Sequence, residues 1–216
     1  MGGGKPHLDG MVQHRIAILE PFIVFSLIMA YIWALRYRYH SSWTIILLFM
    51  LVSHFLHHEG ADTLGFRTRN FKECIDEFLP ALVFVALVLL GAGILLQTTR
   101  PIRFGDACLA WTAYLPWGTV QQYLLNGYFL NRLARVMPGR SATVASAMLF
   151  SGAHLPNWFL MSVTLLTGYI CARVYLRHKN LYFLGFAHAT IGFLLYLVVP
   201  DSISHHLVVG PGCFGR

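Results

Sequence analysis

"FLPALVFVALVLLGAGILLQ", Phe78 to Gln97, is twenty residues without one charged side chain. At about 1.5 Å per residue such a run is roughly 30 Å long as a helix, the thickness of a bilayer's hydrocarbon core. Lipid offers the backbone no hydrogen-bond partners, so an isolated span there must be helical. On either side of it, similar apolar runs occupy Arg15–Arg36, Ser42–His58, Ala107–Asn131, Ala142–Leu155, Asn157–Arg177 and Leu181–Pro200. Of the 216 residues 56% are hydrophobic and 12% charged, which fits lipid-facing helices better than a water-facing surface. The expectation is an all-α polytopic membrane protein of about seven transmembrane helices in one bundle. Residues 1–14 form a polar N-terminal segment, 15–200 the bundle and 201–216 a C-terminal segment. Met1–Gly10 is polar and glycine-rich and does not read as a cleavable signal peptide.

With seven spans the basic residues divide unequally. Lys5, Arg15, Arg67, Arg69, Lys72, Arg132, Arg135, Arg140, Arg173, Arg177 and Lys179 share one side, against Arg36, Arg38, Arg100, Arg103 and Arg216 on the other. Positive charge stays on the side of insertion, which predicts a cytoplasmic N-terminus in the cytoplasmic (inner) membrane. The net charge of +7 then faces anionic lipid headgroups, and no nucleic acid partner is expected. Cys74, Cys108, Cys171 and Cys213 are scattered, with neither a disulfide framework nor a C-x-x-C metal spacing.

Polar groups at membrane depth cost a few kcal/mol, about 2.5–3.5 for a charge on insertion scales, unless they face the bundle interior or a wet cavity. The candidates are Gln121, Gln122 and Asn126 in the fourth run, His154 in the fifth and His188 in the seventh. Gln122 and Asn126 are four apart and share a helix face. Pro116, upstream, removes a backbone donor and predicts a kink beside them. Ala147, Ser151 and His154, and likewise Gly185, His188 and Gly192, lie on stripes of small residues, which should face neighbouring helices and carry both imidazoles inward. These five groups could equally serve only as interhelical hydrogen bonds.

"SHFLHHEGAD", Ser53–Asp62, is a second cluster. His54 and His58 stand four apart with His57, Glu59 and Asp62 close by, a pattern that can hold a divalent metal or simply mark imidazoles at the membrane interface. Glu20 lies one turn inside the first run and is followed by Pro21. Its expected place is a snorkelling position at the interface. The chain has no glycine-rich phosphate loop, no G-x-S-x-G elbow and no H-E-x-x-H.

"QQYLLN" (Gln121–Asn126), then "FSGAH" (Phe150–His154), then "GFAHATIG" (Gly185–Gly192) resemble, in order and spacing, the CPBP family of intramembrane proteases, the CAAX prenyl protease and Abi group. "TLGFRTRN", Thr63–Asn70, is similar to a Leu-Gly-Leu-Arg stretch many members carry. The family pattern is Glu-Glu-x-x-x-Arg, Phe-x-x-x-His and His-x-x-x-Asn. The resemblance implies a helical membrane fold and a site at Gln121, Gln122, Asn126, His154 and His188. In the family the first glutamate and the two histidines activate a water, and the Asn helps hold the oxyanion. Here Gln121 and Gln122 stand where the glutamates belong, Asn126 where the arginine belongs and Gly192 where the Asn belongs. A neutral amide cannot take a proton from water near pH 7. Two functions follow as expectations. One is an intramembrane endopeptidase of weak or altered activity on a lipidated or transmembrane peptide, with a histidine as base. The other is a non-catalytic scaffold or accessory subunit whose polar pocket binds a lipid, an isoprenoid, a pigment or a partner helix or membrane subunit. A metal-dependent lipid-modifying enzyme built on His54–Glu59 is a third.

Overall fold

A computed structural model describes residues 6–214. Each of the seven apolar runs is helical, and no strand occurs among the described residues. The first helix, α1 (Pro6–Ala30), continues through a π turn (Tyr31–Leu35) and the short α2 (Arg36–Arg38). Then come α3 (Trp43–Leu56), the four-residue α4 (Ala61–Leu64) and α5 (Phe71–Leu95). The sixth helix, α6 (Phe104–Gln122), passes into a π segment (Tyr123–Leu130) and on into α7 (Asn131–Leu133). The rest are α8 (Gly139–Gly152), α9 (Trp158–His178), α10 (Leu181–Val198) and a short α11 (Asp201–Ser204).

The fold is that of an all-α membrane protein. Four helices, Ile18–Arg38, Phe71–Leu95, Trp158–His178 and Leu181–Val198, are long and apolar enough to cross a membrane. The others differ for physical reasons. Trp43–Leu56 and Gly139–Gly152 have 14 residues each, about 21 Å, which is short of a hydrocarbon core. The α6–α7 rod is long but carries the amides and Arg132. Outward faces are apolar, with Phe55 78% and Leu95 83% exposed, as a lipid environment requires.

Residues 1–5 of the expected polar N-terminal segment lie outside the described residues, while Pro6 onward is already helical. The C-terminal segment folds back: Gly210 N–H donates to the Leu155 carbonyl at 2.8 Å, Asn157 Nδ2 to the Ser204 and Val208 carbonyls, and Arg36 to that of Val209. Arg100 holds Asp201 with both terminal nitrogens (2.8 and 2.5 Å). At the opposite end of the bundle, Asn180 and Asn70 tie the 57–70 loop to the α9–α10 turn.

Two pairings position the site: α10 packs on α6, and α9 on α8. Small residues make the first possible, as their stripe predicts. A Cβ added at Gly185 would overlap the Thr119 hydroxyl and lie 2.9 Å from that residue's main chain, and one at Gly118 would be 3.0 Å from the Gly185 carbonyl oxygen. Gly185→Ala is therefore expected to destabilise the protein by about 1–3 kcal/mol through overpacking. Thermal unfolding in detergent should show it. Thr119→Ala should restore only part of the loss, because the overlap with the main chain at 119 persists.

Pro116 lies within α6; the ladder departs from α-geometry later, over Tyr123–Leu130. π turns of this kind collect at functional sites, and this one carries Asn126 on one side and Tyr123 and Tyr128 on another.

Candidate functional site

Three of the five sequence-predicted polar groups form one chain. Asn126 Nδ2 donates to Gln122 Oε1 at 2.7 Å, and Gln122 Nε2 meets His188 Nδ1 at 3.0 Å. Gln122 is 1% and Asn126 0% exposed, and Asn126 Oδ1 is buried with no partner among the described residues. Gln121 turns aside, toward the Tyr114 hydroxyl at a long 3.4 Å. His154 sits in the turn just past α8, its Nδ1 2.8 Å from the Phe150 carbonyl oxygen. The Phe150 ring touches both imidazoles, with centroids 5.0 Å from His154 and 6.2 Å from His188.

These contacts assign protons. A carbonyl only accepts, so His154 Nδ1 donates to Phe150 and its Nε2 is left as a lone pair. With the amides oriented by the Asn126–Gln122 bond, Gln122 Nε2 donates to His188 Nδ1, so the His188 proton is on Nε2. One imidazole thus presents an acceptor and the other a donor. No member of this chain is a carboxylate.

Two residues of the region are not legible from the motifs. Tyr114 fills the space beside Gly192: a Cβ there would lie 2.8 Å from its ring and 3.2 Å from its hydroxyl. Its hydroxyl thus stands next to Gly192. Tyr114 lies seven residues before Gln121, on the same helix face, which is the available signal. Cys171 of α9 approaches Gln122.

The second cluster is built differently from its sequence reading. Arg132 is wholly buried; its Nε donates to Glu20 at 2.7 Å, one terminal nitrogen to Glu59 at 2.6 Å and the other to Ser53 at 2.9 Å. Glu20, expected to snorkel at the interface, is instead 6% exposed and also meets His57 at 3.2 Å. Burial is tolerable because the guanidinium neutralises it. A division of basic residues by side places Arg132 among the exposed charges; its two carboxylate partners draw it inward. His54 and His58 do not converge as metal ligands. Both His54 nitrogens are taken, by Glu59 at 2.6 Å and the Tyr123 hydroxyl at 2.5 Å, while His58 is exposed. Among the described residues no three His, Cys, Asp or Glu side chains are grouped to hold a metal.

Burial opposes ionisation of Glu59, but hydrogen bonds from His54 and Arg132 and the charges of Arg132 and Arg135 outweigh it, holding the carboxyl down to about 2 from an ordinary 4.5. A lowered folded-state pKa contributes stability that is present above the unfolded value and lost as pH falls through the folded one. Unfolding in detergent between pH 4.5 and 2 should therefore show a progressive loss of stability, and Glu59→Gln should flatten that slope.

Residues 78–194, just over half of the chain, match the type II CAAX prenyl endopeptidase Rce1-like family. No curated protein and no solved structure matches the chain.

Proposed function

The chain belongs to the type II CAAX prenyl endopeptidase Rce1-like family, and on that footing we propose that it is an intramembrane endopeptidase of weak activity, its carboxylate base replaced by amides. The observation that carries this reading is the neutral chain Asn126–Gln122–His188. It keeps the hydrogen-bonding shape of a catalytic pocket and lacks a group of carboxylate basicity. In this reading His154 Nε2 takes a proton from water as its oxygen attacks a peptide carbonyl. The His188 Nε2–H and the Tyr114 hydroxyl then donate to the oxyanion, in the space the family gives to Asn. Imidazole alone serves as base, and loss of the usual one is worth about 10²–10⁴ in rate. The substrate class is a lipidated or transmembrane peptide. The protein resides in the cytoplasmic membrane with its N-terminus cytoplasmic, supported by the arginine and lysine asymmetry.

A second reading is a non-catalytic pocket for a lipid, isoprenoid, pigment or partner helix. The neutral amide pair Gln122 and Asn126 favours it, because amides keep hydrogen-bonding capacity without burying a charge. One assay separates the two: wild type reconstituted in vesicles with a lipidated peptide. Slow cleavage that disappears in His154→Ala and His188→Ala supports the peptidase. Cleavage unchanged by both variants, or absent in wild type, sinks it.

A further inference from the structure

The chain after α10 forms a hook that closes on the turn carrying His154. It consists of α11 and two 3-10 turns, His205–Leu207 and Gly210–Phe214. The middle of the hook is strained. His205, His206 and Leu207 have φ of 48, 53 and 55, three successive non-glycine residues in the left-handed region, where Cβ crowds the following carbonyl oxygen. Such backbone persists only where its surroundings fix it, and it collects at functional sites.

One side chain does much of the fixing. Asn157 is wholly buried, and its Nδ2 donates to the carbonyls of Ser204 at 2.8 Å and Val208 at 3.1 Å, the two residues that bracket the left-handed run. Its Oδ1 accepts the Leu160 N–H at 3.0 Å and so caps α9. Its main-chain N–H donates to the His154 carbonyl at 3.0 Å. The hook holds the same turn a second time through Gly210, whose N–H donates to the carbonyl of Leu155, the residue next to His154, at 2.8 Å. Arg36 and Arg100 anchor the hook from α2 and from the α5–α6 loop. A helix cap needs only Oδ1, and serine would supply it nearly as well. The two bonds from Nδ2 go beyond that task.

We infer that Asn157 is a positioning residue: by clamping the strained hook to the turn after α8, it holds the His154 imidazole with Nδ1 on the Phe150 carbonyl and Nε2 free to accept a proton. The consequence for catalysis rests on the peptidase reading, whereas the clamp itself is read on His154 without any substrate.

The test is the nitrogen-15 spectrum of histidine-labelled, full-length protein in detergent. Asn157→Ser keeps an acceptor for the Leu160 N–H but is too short to reach both hook carbonyls. It should give His154 a second form, protonated on Nε2, and leave His188 unchanged. Adding His206→Gly, which takes left-handed backbone without strain, should return part of the signal to the Nδ1 form; a residue that only caps α9 would gain nothing from it. Gly210→Ala disturbs the hook from its other end, since a Cβ there, at φ +69, would lie 2.6 Å from Ile32 Cγ2. It leaves the α9 cap intact and should shift His154 the same way even where Asn157→Ser fails to fold. An unshifted His154 in either folded variant, or an equal change at His188, overturns the assignment. With a lipidated peptide in vesicles, Asn157→Ser should lower kcat by about 10²-fold, the worth of a misplaced group, with KM unchanged; full kcat overturns the positioning role. A wild type that cleaves nothing removes the peptidase reading alone, and the His154 spectra still decide the clamp.

Discussion

Gln121→Glu is expected to raise hydrolysis of a vesicle-embedded lipidated peptide by about 10²–10⁴-fold, the usual worth of a general base. Gln121 is the more accessible of the two amides, 8% exposed against 1% for Gln122, and its neighbour is the Tyr114 hydroxyl. A carboxylate there would accept from that hydroxyl and keep an oxygen for water. The gain should be abolished by His154→Ala. Gln122→Glu is expected to behave differently, because position 122 lies in a closed network with Asn126 and His188. A carboxylate only accepts, so it would draw the His188 proton onto Nδ1 and remove the donor from Nε2. It would also be a buried charge with no arginine at 126, and such a charge is costly unless paired. Rates for the two single variants and for Gln122→Glu/Asn126→Arg check this ordering; equal activation by Gln121→Glu and Gln122→Glu would contradict the geometry.

Arg132→Ala is expected to destabilise the bundle by about 3–5 kcal/mol, because it leaves Glu20 and Glu59 buried without their common counter-ion. The guanidinium joins α1, the loop after α3 and α7, so its loss frees three elements at once. Removing the carboxylates with it should be far milder: E20Q/E59Q/R132M buries no unpaired charge and should recover much of the loss. Denaturation in detergent measures both. An Arg132→Ala protein as stable as wild type would mean that the cluster is solvated.

The helices are legible in the sequence because lipid permits no other isolated spanning structure, so hydropathy alone marks Phe78–Gln97 and its neighbours. The polar candidates are legible for the same reason: Gln122, Asn126 and His188 stand out in apolar runs and do meet. Which amide reaches His188 is not legible, since adjacent residues differ by about 100° around a helix and the packing angle decides. Arg132 is hidden because basic residues at helix ends ordinarily face water, and only its two carboxylate partners, 112 and 73 residues away, reveal its burial. The π segment after Gln122 has no local signature. Tyr114 reads as any aromatic at a helix interface until Gly192 is seen to leave room for it.

The Phe150 carbonyl and the Gln122 amide fix the protons of the pocket so that His154 offers an acceptor and His188 a donor. Nitrogen-15 chemical shifts of the two imidazoles in histidine-labelled protein, recorded near pH 7, read those protons site by site. The expected result is His154 protonated on Nδ1 alone and His188 on Nε2 alone. His188 protonated on Nδ1, with a lone pair on Nε2, would contradict this arrangement by returning a second base to the site.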